Sequence, residues 1–515
     1  MKKIFILISL TFGLISCKKL DLVPESSLTT ANFTLSDKDA IAATNGVYVP
    51  NYILSSGLDY MIDLGADETN PGEDVRSSDG AAIGILEYDQ KNSQVEWVWQ
   101  YLYQGIGNAN QNIDNLSASS KITEPLKTRL INESKFLRAL YYFYAVQIWG
   151  DVPLVLHPAD GTTIKRDSVN KVYSQIVQDL KDATDLPKSY SETTDKGRPT
   201  QGSAYGLLSK VYLTWAQAVG ENLQNNDKLK KSVVYADSVS GYVLLDEFLD
   251  NWNTTKRYGP EILFTANHVT GQFAAGDGFN HMAHCAFATG FSQETPHLII
   301  SDTVQFYDNW DGRDQRKRGT YARYIYNPTT NSNFRFNLPR YRKYIDTINI
   351  LTTASTRSID RTILRYADVL LIKAEASNEY NHGPNGDAYN AVNQVRHRAY
   401  AKYISAKGLT ANAFDYNGLS YEQFRDSIRK ERLHELTYEQ SRWFDLVRWK
   451  ILKTTLTTVG NKSTDPLTKK KSTNFIDLRF YRFPIPQYEI NLNSGLWQNW
   501  GYNGSTNNPY DSSYQ

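Results

Sequence analysis

ILRYADVLLIKAEASNEYNHGPNGDAYNAVNQVRHRAYA, residues 363–401, reads as two helices folded back on one another. The first runs through ILRYADVLLIKAEASNEY, and DAYNAVNQVRHRAYA is the second. Between them Asn381-His382-Gly383-Pro384 is a turn, because glycine and proline end helices. Ala367 to Tyr400 spans 34 residues, the length of a tetratricopeptide helix pair. Ala374, Ala376, Ala388 and Ala391 are small enough for close helix–helix contact. Such pairs stack on their neighbours into an extended scaffold with a broad binding face.

Further helices lie on either side. Residues 94–117 place Trp97, Tyr101, Ile106, Ala109 and Ile113 near helical spacing. Residues 124–149 carry an apolar stripe through Leu130, Phe136, Leu137, Leu140, Phe143 and Tyr144, stopped by Gly150 and Pro153. Residues 168–186, 199–218 and 419–452 read the same way, and Ala204 and Gly206 leave room for a close neighbour. Ser36 followed by Asp39 is a capping-box-like start to the folded body. Residues 251–362 change character: strand-like pieces (EILFTANHV, RYRKYIDTI) alternate with Gly-, Asn-, Asp- and Thr-rich loops. Residues 479–502 read as a coil-rich tail lying across the body. The expected fold is mainly α, with helix pairs, a large irregular loop-rich region and few short strands. It divides into an N-terminal helical part (31–250), the insertion (251–362) and a C-terminal helical part with the tail (363–515).

The N-terminus has its own logic. Met1-Lys2-Lys3 is a short positive start, and Ile4 to Ile15 is an almost wholly apolar run of 12 residues. That is short of the roughly 20 residues a membrane span needs, but suits a secretory signal. Leu14-Ile15-Ser16-Cys17 resembles the lipobox of bacterial lipoproteins, in which the signal (1–16) is cut before a cysteine that takes acyl chains. Several chains anchor a protein durably where one does not. Lys18 to Thr30 is polar, contains a proline and reads as a tether (17–30 with the lipidated cysteine). Cys285 is the second of only two cysteines, so no disulfide framework is expected.

Net charge is +1, which leaves no electrostatic footprint for nucleic acid. The compositional oddity is aromatic, with 35 Tyr and 10 Trp. Catalytic motifs fail. His434-Glu435 has no second histidine four residues on, and no GxSxG or Walker loop occurs. His281 and His284 beside Cys285 are too few ligands for a metal, and no cofactor is expected. A paired-carboxylate glycosidase stays open on spacing alone. In IRKERLHELTYEQSRWFDLVRW, residues 428–449, Arg432, Glu435, Glu439, Arg442 and Asp445 recur at helical steps. They read as a partly buried ion network joining helices, with an anion site as the alternative.

In order, the lipobox, NESKFLRALYYFYAVQIWGDVPLV (132–155), GRPTQGSAYGLLSKVYL (197–213), ILRYADVLLIKAEASNEY (363–380), residues 428–449 and FPIPQYEINLNSGLWQNWGY (483–502) resemble the SusD/RagB family of nutrient-binding outer-membrane lipoproteins. The resemblance implies four tetratricopeptide-like helix pairs and a place on the outer face of an outer membrane. It implies a SusC-type TonB-dependent transporter as partner, to which an oligosaccharide, or sometimes a peptide, is delivered. A surface glycosidase and a structural lid without its own affinity are the alternatives. The family motifs belong to the scaffold, so binding residues are argued from chemistry: aromatic rings for sugar faces, planar polar groups for hydroxyl pairs. Asp67, Glu68, Asn70, Asp74, Arg76, Tyr88, Asn92 and Trp97 form one candidate region. Phe279, Asn280, His281, His284, Phe287, Phe291 and Trp310 form another. Trp99 and Tyr103 are assigned to the scaffold.

Overall fold

The structure, a computed structural model, describes residues 36–55, 57–71, 78–160, 164–268, 298–300, 304–327, 331–344, 359–459 and 477–502, with positions 509 and 513. The signal, the tether with Cys17, and Cys285 lie outside the described residues.

The chain begins with α1 (Asp37–Tyr48), whose first turn is capped by the Ser36 hydroxyl accepting from Asp39 N at 3.3 Å. After the short α2 (Ser78–Gly84) come the long helices α3 (Ser93–Ala118) and α4 (Leu126–Trp149). Then follow α5 (Val169–Asp182), α6 (Gln201–Ala218) and α7 (Asp227–Ser238). Several starts have a side-chain acceptor where an orphan N–H needs one, though α4, preceded by Pro125, has none. Asn92 caps α3, Ser168 caps α5, and Thr200 with Ser203 makes a capping box on α6. Helix α4 is buried on every face from Phe136 to Trp149. Neighbours surround it: α3 and α1 pack on one side and α5 on the other.

Three two-stranded antiparallel ladders follow from the insertion. β1 (Thr69–Pro71) pairs with β3 (Leu298–Ile300), and β2 (Ile262–Ala266) with β6 (Arg361–Arg365). β4 (Tyr321–Asn327) pairs with β5 (Ser332–Tyr341). Helical turns α8 (Val304–Asn309) and α9 (Gln315–Thr320) lead into the β4–β5 hairpin. The helical stack then resumes with α10 (Tyr366–Asn381), α11 (Gly386–Lys407) and α12 (Tyr421–Leu436). Contacts run α3–α4–α5–α6–α7 and on to α10, which touches α11 and α12, so each helix meets chiefly its neighbours in the stack. The helix pair expected at residues 363–401 is present, and so are the separate helices expected before it.

Two boundaries differ from the expectation. Ile363 to Arg365 are not helical: they lie in β6, opposite β2, so α10 starts at Tyr366. The stretch 419–452 is not one helix either. It breaks after Leu436 and restarts as α13 (Arg442–Arg448) and α14 (Leu452–Val459), with Tyr438 (φ 60°) and Gln440 (φ 56°) in the left-handed region between. Gly206 does sit at a close approach. A Cβ there would lie 2.6 Å from Leu263 Cδ2 and 2.9 Å from Leu364 Cδ2, so it is mainly the β2–β6 pair, joined by Val369, that takes the space.

The tail packs across the end of α4, as expected. Trp149 Nε1 donates to the Pro484 carbonyl at 3.0 Å, and Phe483 N donates to the Ile148 carbonyl at 2.9 Å. A short helix, α15 (Gln487–Leu492), closes it. No helix among the described residues is long and apolar enough to cross a membrane.

Candidate ligand-binding face

The base of the β4–β5 hairpin is fixed to the helical stack by buried charge. Arg365, at the end of β6, donates to Glu261 (2.8 Å), Glu435 (2.5 Å) and Glu439 (2.8 Å). Arg316, on α9, meets Asp314 (2.7 Å), Glu431 (2.7 Å) and Glu435 (2.9 Å). Lys343, just past β5, meets Glu439 at 2.6 Å and the Glu435 carbonyl at 3.0 Å. Arg398 joins Glu261 and Glu435, and Arg396 joins Glu431. Five cations thus face five carboxylates, and most are sealed from water. A buried charge is tolerable only when paired in this way. Burial alone would raise the Glu435 carboxyl, but Arg398, Arg365 and Arg316 hold it well below the carboxylate range. Burial brings the Lys343 ammonium down to about 8.

The cluster read from residues 428–449 is therefore a structural network, and the break at 437–441 lets it reach further than one helix face could. Arg432 binds Asp445 (2.8 Å) and Asp368 (2.9 Å), and Arg448 binds Glu375 and Asp445. The break itself is held from the far end of the chain. Glu68 accepts from Tyr438 N at 2.9 Å, Asp63 accepts from Gln440 N at 2.9 Å, and Asp67 takes both arms of Arg442 at 2.7 and 2.8 Å.

Above the network lies an aromatic cluster. Trp310 stacks on His434 with ring centroids 4.5 Å apart, and its Nε1 donates to Asp314 at 3.0 Å. Tyr341 stacks on Tyr438 at 4.0 Å and contacts Tyr321 at 5.3 Å. Burial with Arg316 nearby keeps the His434 imidazole well below its ordinary range, so it stacks as a neutral ring. At the edge of this cluster Tyr307 is half-buried against Tyr321, with ring centroids 5.7 Å apart, and further along β4 Tyr324 is 56% exposed. Lys317 Nζ lies 4.6 Å and the Arg323 guanidinium 5.0 Å from the Tyr307 ring centre. Arg335 faces Tyr324 across the ladder, 6.0 Å from its ring. Flat rings beside planar donors are what recognition of sugar faces and hydroxyl pairs requires.

The candidates from sequence fall into three groups. Asp67, Glu68 and Trp310 are buried and hold the fold together through Arg442, Tyr438 and Asp314; a ligand reaching them would have to displace those partners. The structure brings them close nonetheless: Trp310 contacts Tyr321, Tyr321 contacts Tyr341, and Tyr341 Oη donates to the Glu68 carbonyl at 2.9 Å. Asn70 joins this group through its backbone, opposite Ile299 in the β1–β3 ladder. That ladder joins positions over 200 residues apart in sequence.

Tyr88, Asn92 and Trp97 lie elsewhere, in or just before α3. Tyr88 is buried against Phe480 and Phe483, at 5.4 and 5.0 Å. Asn92 is the cap of α3, accepting from Gln94 N and Val95 N and donating to the Asp79 carbonyl. Trp97 is half-buried, edge-on to Tyr101 at 5.7 Å. Asp74, Arg76, Phe279, Asn280, His281, His284, Phe287 and Phe291 lie outside the described residues. Trp99 and Tyr103 are scaffold, stacked on each other at 4.7 Å. Sequence reasoning missed Tyr307, Tyr324, Arg323 and Arg335. For Arg323, Tyr324 and Arg335 the signal was available in YARYIYN and SNFRFNLPRY, two runs rich in strand-forming residues; Tyr307 lies in neither.

The SusD family model matches residues 287–502. A second model, described as starch-binding associating with outer membrane, matches residues 73–213. The chain is 27% identical to SusD-like protein P25 of Formosa agariphila, over 99% of each chain. A crystal structure of a SusD homolog from Bacteroides thetaiotaomicron is similar with a TM-score of 0.77 at 25% identity, over 92% of this chain and 98% of that one. A laminarin-binding SusD-like protein has the same fold, with a TM-score of 0.73 at 23% identity over 90% of this chain and 99% of that one.

Proposed function

The chain belongs to the SusD/RagB family, and from that footing we propose that it captures oligosaccharide at the aromatic face of the β4–β5 hairpin and passes it to a SusC-type outer-membrane transporter. The observation that carries the site is the half-buried Tyr307 with the exposed Tyr324, flanked by Lys317, Arg323 and Arg335. The irregular part presents them, while the helical stack and its buried charges hold that part still. The family includes proteins whose ligands are glycans, among them laminarin, which supports the substrate class. The reading is one of binding without turnover. Asp67, Glu68 and Asp314 are buried and bound to arginine, backbone or indole, and the exposed carboxylate at this face, Asp308, is set against Arg323, whereas a hydrolytic pair needs two carboxylates that reach the substrate.

Native affinity electrophoresis of the full chain, purified in detergent, tests this against laminarin, starch, xyloglucan, alginate, carrageenan and chondroitin sulfate. At least one gel should retard it, without release of reducing ends. Tyr307→Ala with Tyr324→Ala should weaken that binding about tenfold or more, or about 1.4 kcal/mol. Retardation by none of the six, or hydrolysis that tracks with the pure protein, would overturn the proposal.

Location at the outer membrane through a lipid on Cys17 belongs to the same reading; the match to a family associating with the outer membrane supports it. Cys17→Ala should move the protein from the membrane pellet to the soluble fraction. Retention in the pellet would refute the anchor.

A further inference from the structure

The chain as a whole is nearly neutral, at +1, yet its basic residues are not spread evenly. Residues 312–343 hold nine of its 56 Lys and Arg and one of its 55 Asp and Glu. The remainder is therefore net negative. Arg316 and Lys343 are buried and neutralised in the network beneath the hairpin, and Arg313 is clamped by Asp311 at 2.8 Å. Lys317, Arg318, Arg323, Arg335 and Arg342 remain at the surface, and the side chain of Arg340 lies outside the described part.

These groups are close to one another. Arg342 Nη1 donates to the Arg318 carbonyl at 3.4 Å, which places the two side by side. Lys317 and Arg323 crowd a single ring, that of Tyr307. The carboxylate opposing Arg323 is Asp308, 55% exposed and 3.5 Å away. So open and long a pair contributes little. Like charges gathered on one face repel, and among the described residues Asp308 is the carboxylate paired with any of these five. A guanidinium fork matches the two oxygens of a carboxylate or sulfate. Tyr307 and Tyr324 beside these cations offer flat faces to sugar rings, a feature that a purely acidic protein partner would not need.

Resting on the glycan-capture reading, we propose that the saccharide taken at this face is anionic, a polymer of uronic acid or sulfated sugar. Its carboxylates or sulfates pair with Arg318, Arg323, Arg335 and Arg342 while Tyr307 and Tyr324 take the rings. The charge also draws such a polymer in from a distance, to about the 8–10 Å over which salt screens.

The test uses the full chain in detergent and three matched probes: dextran, carboxymethyl-dextran and dextran sulfate, together with the six natural polysaccharides above. Alginate, carrageenan or chondroitin sulfate should retard the protein more than laminarin, starch or xyloglucan, and rising salt should weaken the binding. Retention on carboxymethyl-dextran assigns the anion as carboxylate, and on dextran sulfate as sulfate ester. Arg323→Gln with Arg335→Gln should cut affinity for the anionic probe tenfold or more and flatten its salt dependence. Arg335→Gln alone, at an exposed strand position, gives a smaller loss in the same direction should the double variant melt early. Tight, salt-independent binding to a neutral glycan that needs Tyr307 and Tyr324 would overturn the charge assignment and leave glycan capture standing. Binding to no glycan would overturn both. Equal binding to polyglutamate, which has charge but no sugar, would overturn the assignment in favour of an acidic protein partner.

Discussion

Glu435→Gln should lower the stability of the whole body by about 3–5 kcal/mol, the loss expected when one partner of a buried ion pair is removed. Glu435 is fully buried and receives Arg316, Arg365 and Arg398. Glutamine keeps the shape but removes the charge. The five-against-five balance then becomes an excess cation with no route to water. The sign of the pH effect makes the prediction specific. Because the folded Glu435 carboxyl lies well below its ordinary value of 4.5, its contribution is complete above that pH and is lost as the pH falls below it. In Glu435→Gln it is absent throughout. The gap in melting temperature between the two proteins should therefore be widest at neutral pH and should narrow steadily under acid. Glu375, held down to about 2 by Arg448 against burial, should weaken both proteins alike in that range. Circular dichroism melts from pH 7 to pH 3 measure this. Equal melting temperatures at pH 7 would refute the network's role, and a gap that does not narrow would refute its electrostatic origin.

Trp310→Ala should cost about 3–5 kcal/mol, as truncation of a buried tryptophan usually does. The indole is 2% exposed, stacks on His434 and donates to Asp314, the same carboxylate that grips Arg316. Its loss opens a cavity and frees a lever on the ion network. Glycan binding should fall as well, because Tyr307 and Tyr324 ride on the cluster that Trp310 fills. Tyr324→Ala is the contrast. An exposed ring should change stability by no more than about 0.5 kcal/mol while weakening binding. Urea unfolding alongside affinity electrophoresis separates the two. Full stability in Trp310→Ala would show that the indole is a contact residue after all.

The scaffold was legible because helices announce themselves locally. The 34-residue pair from Ala367 and the stop at Gly150 need only neighbours in sequence. What escaped depends on distant chain. Nothing near Ile363 says that Arg361–Arg365 will pair with Ile262–Ala266, so the sequence pattern places the helix start three residues early. Nothing in HELTYEQSRW, which has neither glycine nor proline, marks a break. Tyr438 and Gln440 hold left-handed conformations because carboxylates from residues 63 and 68 take their N–H groups. The same blindness affected the site. Asp67 and Glu68 in a loop look like ligand groups until Arg442 and Tyr438 are seen to claim them. The surface tyrosines were passed over because aromatic residues are common in this chain and period-two patterns are short. Their value came from the arginines across the hairpin.

The grip of residues 63–68 on residues 438–442 has a consequence for the order in which the chain is made. Its hydrogen bonds and ion pair join positions 370 to 377 residues apart. These bonds can form only after most of the polypeptide has been synthesised. The segment around residues 63–68 therefore takes its final place late, when the last quarter of the chain arrives. For a sequence whose first residues read as an export signal, that leaves this closure to the far side of a translocation channel.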